Sequence, residues 1–161
     1  MHVMAPHDPF VFGPNGEEVD YKYTFGPTGT PYLDPNEEKN AYLNQLIYLT
    51  KILEETIENL QENSDNQPII IVQSDTGPST NFGEVTNEMH QVGRMSIFNA
   101  YYFPNGQYDL LYDDITPVNS FRVVFDSQFQ TNYGMVEDKI FFSTYEKPYA
   151  LIELNDLLIL N

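Results

Sequence analysis

The chain has 161 residues, 41% hydrophobic and 14% aromatic, enough to bury a core and too apolar for intrinsic disorder. Its 24 Asp and Glu stand against 7 Lys and Arg, a formal charge of −17, which repels phosphate backbones and anionic lipid and argues against nucleic-acid binding. The lack of cysteine rules out disulfides and thiolate metal sites without fixing a compartment, and no run of about 18 apolar residues is present to span a membrane.

Residues 2–12, HVMAPHDPFVF, read as an apolar strand entering a Pro-rich corner. With no basic leader and no long apolar stretch, they are not expected to form a signal peptide. A chain that starts in mid-strand is expected to be a partial domain, because termini normally lie at the surface. Residues 13–35 are rich in Gly and Pro and predict a long irregular loop.

A long helix is predicted next. Asp34 suits its N-cap, Pro35 its first position, and Glu37 and Glu38 its positive end. Tyr42, Leu46, Leu49, Leu53, Ile57 and Leu60 recur at steps of three and four and mark the expected buried stripe. NSDNQP at 63–68 ends the helix, and IIIVQ at 69–73 reads as a strand covered on both faces, as in a parallel sheet.

The polar stretch 74–94 is expected to be a mobile loop, and MSIFNAYYF at 95–103 a second strand. Thr116 and Pro117 open another helix, with Val118, Phe121, Val124, Phe125 and Phe129 as its apolar set. KIFFSTY and YALIEL supply short terminal strands. The alternation predicts one α/β domain over 1–161, a layered and mainly parallel sheet flanked by helices.

Asp75 draws attention because it stands at the end of the apolar strand, in D-T-G. An aspartic protease requires two such aspartates sharing a proton, and a second D-T-G is absent, so Asp75 would need a homodimer. Beyond the strand end of an α/β sheet, a carboxylate is also a reasonable ligand for a hard divalent ion. On physics alone, Asp-x-Gly is more often plain turn chemistry. His7, between Pro6 and Pro9, is held on a stiff loop where an imidazole suits an oxyanion or a metal; its simpler role is a structural pair with Asp8.

Taken in order, P-H-D-P-F, the A-Y-L-N-Q-L-I-Y-L-T helix, I-I-I-V-Q-S-D-T-G-P, F-N-A-Y-Y-F-P and I-T-P-V-N-S-F-R resemble the sulfatase-like branch of the alkaline phosphatase superfamily. The likeness covers roughly residues 2–130 and is to the C-terminal half of that catalytic domain, as in membrane-anchored sulfatases and lipoteichoic acid synthases. It implies an alkaline phosphatase-like fold, a divalent ion (Zn, Mn, Ca or Mg), an anionic sulfate or phosphate ester as substrate of the full-length family, and an extracytoplasmic location. His7 matches the histidine that contacts the ester, and Asp75 the metal-binding aspartate. Thr76 stands where the family has a metal-binding histidine, and a hydroxyl is the poorer ligand. No residue matches the family's nucleophile. The resemblance therefore implies a chain inactive by itself, with the metal held much more weakly or lost, whose exposed sheet is covered by an N-terminal half or a second copy. The alternative it leaves is a degenerate, non-catalytic binding or partner module.

Overall fold

The computed structural model describes residues 3–25, 31–78, 87–144 and 146–158. They fold as mixed helix and strand in two compact units, which divide between Asn66 and Gln67.

The first unit is built on α1, Pro35–Asn63. Its start follows the sequence signals: the Asp34 side chain accepts from the Asn36 amide at 3.0 Å, and Pro35 opens the first turn, where no amide proton is required. Two short strands, β1 (Thr24–Phe25) and β2 (Pro31–Tyr32), pair antiparallel inside the stretch read as irregular loop. Among the described residues, the N-terminal segment from position 3 forms no strand; an isolated bridge joins Phe12 to Glu18.

Burial on α1 departs from the hydrophobic stripe. The fully covered positions are Ala41 and Gln45, while Leu46 and Leu60 are exposed and Leu49, Leu53 and Ile57 half-buried. Ala41 packs with Phe10 and Leu33, and Tyr21, Tyr23 and Tyr42 close around them. The small Ala41 side chain lets the N-terminal segment approach the helix closely, and the Gln45 amide receives it. Gln45 Oε1 accepts from the Val11 amide (2.9 Å) and the Phe12 amide (3.3 Å), and its Nε2 donates to the His7 carbonyl (3.2 Å). One buried amide thus supplies the backbone partners that a strand neighbour would otherwise provide.

The second unit holds β3 (Ile70–Gln73) against β4 (Asn99–Tyr102), with Ile70 opposite Tyr102 and Gln73 opposite Asn99. The pair is antiparallel, in contrast to the parallel arrangement expected for IIIVQ, and all four β3 residues are only half-buried. Helix α2, Asn87–Met95, occupies residues read as the end of a mobile loop, and takes Met95 from the strand expected there. Helix α3 runs Pro117–Phe129; β5 (Phe141–Phe142) pairs antiparallel with β6 (Ile152–Glu153), and α4 (Asn155–Leu158) follows. All three strand pairs among the described residues are antiparallel.

The core here is Phe103, Val123 and Val124, packed by Ile69, Ile71, Tyr101, Leu111 and Ile115. Helix α3 buries Asn119, Ser120, Val123 and Val124, and it turns Val118, Phe121, Phe125 and Phe129 outward. Of the apolar set read from the sequence, Val124 alone is buried.

Candidate functional site

The chain enters the Asp75 corner directly from the strand ladder. Ser74 continues the β3–β4 pairing past Gln73: its amide donates to the Phe98 carbonyl (2.9 Å), and its Oγ accepts from the Phe98 amide (2.8 Å). Asp75 Oδ1 then accepts from the Thr76 amide (2.9 Å), and Thr76 Oγ1 donates to the Gly77 carbonyl (2.9 Å). Both side chains are exposed, and each is bonded to the backbone of the residue that follows it.

Gly77 is buried, and its amide donates to the Arg94 carbonyl in the last turn of α2 (2.8 Å). A Cβ at this position would run into the main-chain carbonyl oxygens of Gly93 and Ser96. The Gly77 backbone angle is ordinary, and glycine is needed for close approach to the end of α2.

His7 belongs to the first unit and Asp75 with Thr76 to the second. The His7 ring is exposed, with Nδ1 2.6 Å from the Asp8 carbonyl and 2.9 Å from Asp8 Oδ1. That is the local pairing its neighbour suggested. Nearby, burial and the Asp8 charge raise the Glu38 carboxyl above its ordinary value.

Among the described residues, the corner offers a cation one carboxylate and one neutral hydroxyl whose proton is committed to Gly77. Divalent ions take four to eight donors with more anionic character than this, so the pair as it stands does not fit a resident metal. Among the described residues, no three or more His, Cys, Asp or Glu side chains are grouped to hold a metal ion. Nor, among them, is any helix long and apolar enough to cross a membrane.

Among the described residues, the titratable group with the largest shift, Tyr112, lies elsewhere, in a polar network that the sequence reading missed. Tyr112 Oη donates to Asp138 Oδ2, and the Thr116 amide donates to Asp138 Oδ1 (3.0 Å). Asn119 Nδ2 lies within bonding distance of Tyr112 Oη (2.8 Å), the Val136 carbonyl (2.8 Å) and Asp138 Oδ2 (3.0 Å); its Oδ1 accepts from the Val136 amide (3.0 Å). Asn155 Nδ2 donates to the Asp138 carbonyl (2.7 Å) and so extends the network to the β5–β6 end. Burial and the bond to Asp138 push the Tyr112 phenol up to about 12. Burial also tends to raise Asp138, but the bonds from Thr116, Tyr112 and Asn119 outweigh it and hold the carboxyl low. Each member is satisfied by another member or by backbone, so the network works as structure and presents no free group to a substrate.

Asp126 is the second depressed carboxylate. The Tyr133 amide (2.8 Å), the Thr131 hydroxyl (2.7 Å) and the Gly134 amide (2.9 Å) all donate to it, and Arg122, one turn earlier, bonds the Tyr133 and Gly134 carbonyls. Both Asp126 and Asp138 titrate below their ordinary value of 3.8. A depressed carboxyl contributes stability that is complete above the unfolded pKa and is lost as pH falls through the folded one. The melting temperature is therefore expected to fall progressively below about pH 4. Asp138→Asn should be less stable at neutral pH and lose less on acidification, as read by circular dichroism. Glu38 has the opposite sign, since its raised pKa favours the fold at low pH, so it partly offsets this acid loss.

No protein-family model matches the chain, and neither a curated protein nor a solved structure matches it.

Proposed function

We propose that the chain derives from the sulfatase-like branch of the alkaline phosphatase superfamily and serves by itself as a non-catalytic binding or partner module. The motif order from P-H-D-P-F to I-T-P-V-N-S-F-R supports the ancestry. The observation that carries the loss of activity is the Asp75–Thr76 corner, where the second ligand position is a hydroxyl already bonded to the Gly77 carbonyl. A metal-dependent ester hydrolase gains its rate from an ion that polarises the ester and activates the nucleophile. This corner supplies one charge toward such an ion, and no residue matches the family nucleophile. The layered, mainly parallel sheet of that family belongs to this same reading, and it requires strands beyond the antiparallel pairs described above.

The test is turnover of aryl sulfate and aryl phosphate esters by the purified chain, with Zn, Mn, Ca or Mg added in turn. Rates indistinguishable from buffer are expected, and equal for Asp75→Asn. Metal-dependent turnover that Asp75→Asn abolishes would refute the proposal. The partner role is tested by size-exclusion behaviour, where a stable oligomer supports a module that covers its apolar surface with a second copy.

A further inference from the structure

The sequence holds two Asn-Gly pairs, Asn15-Gly16 and Asn105-Gly106, and the fold treats them differently. In such a pair the glycine amide nitrogen attacks the asparagine Cγ. A new C–N bond closes a succinimide, and the side-chain nitrogen leaves as ammonia with the displaced proton. Water then opens the ring at either carbonyl, giving aspartate or isoaspartate. The step needs the asparagine side chain free to swing over the following amide, so its rate in a folded protein follows the cost of local opening.

The restraints on Asn15 reach far along the chain. Its Oδ1 accepts from Lys51 Nζ (3.0 Å), which also bonds the Pro14 carbonyl (2.8 Å), and its amide donates to Glu17 Oε2 (2.9 Å). Gly16, at φ +83°, lies directly beneath the Tyr48 ring, where a Cβ would be 2.5 Å from Cε2. Freeing this pair means detaching it from two residues of α1.

Asn105 is exposed, as Asn15 is, but among the described residues its restraints come only from within its own turn. Its Oδ1 accepts from the Gln107 amide (3.1 Å), its Nδ2 donates to Gln107 Oε1 (3.2 Å), and the Gly106 amide donates to the Phe103 carbonyl (3.0 Å). Gly106, at φ +68°, has open space around it. One local opening of residues 103–107 releases all of these bonds together.

The geometry points to Asn105 as a site of spontaneous deamidation whose product acts on the core. Isoaspartate adds a methylene to the main chain inside the turn that stacks Tyr108 on Phe103 (centroids 5.2 Å apart, planes at 12°). That turn also lets Tyr108 Oη accept from the Phe103 amide (2.9 Å). Phe103 is a core residue of its unit, so a surface lesion is transmitted inward.

The full chain is aged at neutral pH and digested, and each Asn-Gly peptide is followed by the mass gain of amide-to-acid conversion and by isoaspartate-specific methylation. In the native protein Asn105 should convert about tenfold faster than Asn15, and in denaturant the two should converge. Lys51→Ala should speed Asn15 while leaving Asn105 unchanged, and Asn105→Gln should remove the dominant isoaspartate signal. Native rates that are equal or reversed overturn the inference, as does a Lys51→Ala chain in which Asn15 is no faster.

Discussion

Replacing Asn119 with alanine is expected to lower the unfolding free energy by about 3 kcal/mol. The side chain is fully buried, and both its amide nitrogen and its oxygen are used. Alanine leaves the Val136 amide and carbonyl without their partner and takes a donor from Asp138, whose charge depends on such bonds. A buried polar group so orphaned costs about 1–3 kcal/mol, and water reaching the exposed Val136 lowers the total. In urea the midpoint should fall while the slope stays unchanged. Asn119→Leu separates polarity from packing because it restores volume without donors. If leucine matches the wild-type chain, the network is dispensable and Asn119 is merely a filler.

A second large effect is expected at Gln45, in the other unit. Gln45→Ala should cost about 2 kcal/mol, and the loss should appear locally as fast hydrogen exchange of the Val11 and Phe12 amides. Those amides and the His7 carbonyl have a single side chain in common as partner, so the segment carrying His7 is fastened to α1 largely through it. Gln45→Glu gives the sharper result. It keeps an acceptor for Val11 and Phe12 and loses the donor to His7, so amide protection should survive while His7 becomes more mobile. Unchanged exchange in Gln45→Ala would mean that the Phe10, Leu33 and Ala41 packing holds the segment unaided.

These two residues mark where sequence reading stops. The beginning of α1 was legible because Asp34 and Pro35 carry local, side-chain-specific signals. The buried face of the same helix was not, because hydrophobic periodicity finds apolar stripes and this helix buries a small residue and an amide. Helix α2 lacks a strong apolar run, so its polar residues read as a loop; it is stabilised in part where Gly77 docks on its last turn. Strand direction is equally silent in a run such as IIIVQ, since pairing with Asn99–Tyr102 depends on residues some thirty positions away. At the corner itself, the turn chemistry of Asp75 and Thr76 was visible in three letters, and the crowding that requires Gly77 was not.

Helix α3 keeps its amide and hydroxyl inside and its phenylalanines outside. Mutational drift along it should therefore run against the usual hydropathy rule. Polar replacements of Phe121, Phe125 or Phe129 remove exposed apolar area and leave the buried contacts intact, while an apolar replacement of Asn119 or Ser120, conservative by size, strikes the centre of the unit. Over evolutionary time the helix can shed its greasy exterior more easily than its two small polar residues. Any comparison of variants that ranks core positions by hydrophobicity would place Val123 and Val124 correctly and misplace Asn119, Ser120 and the three phenylalanines.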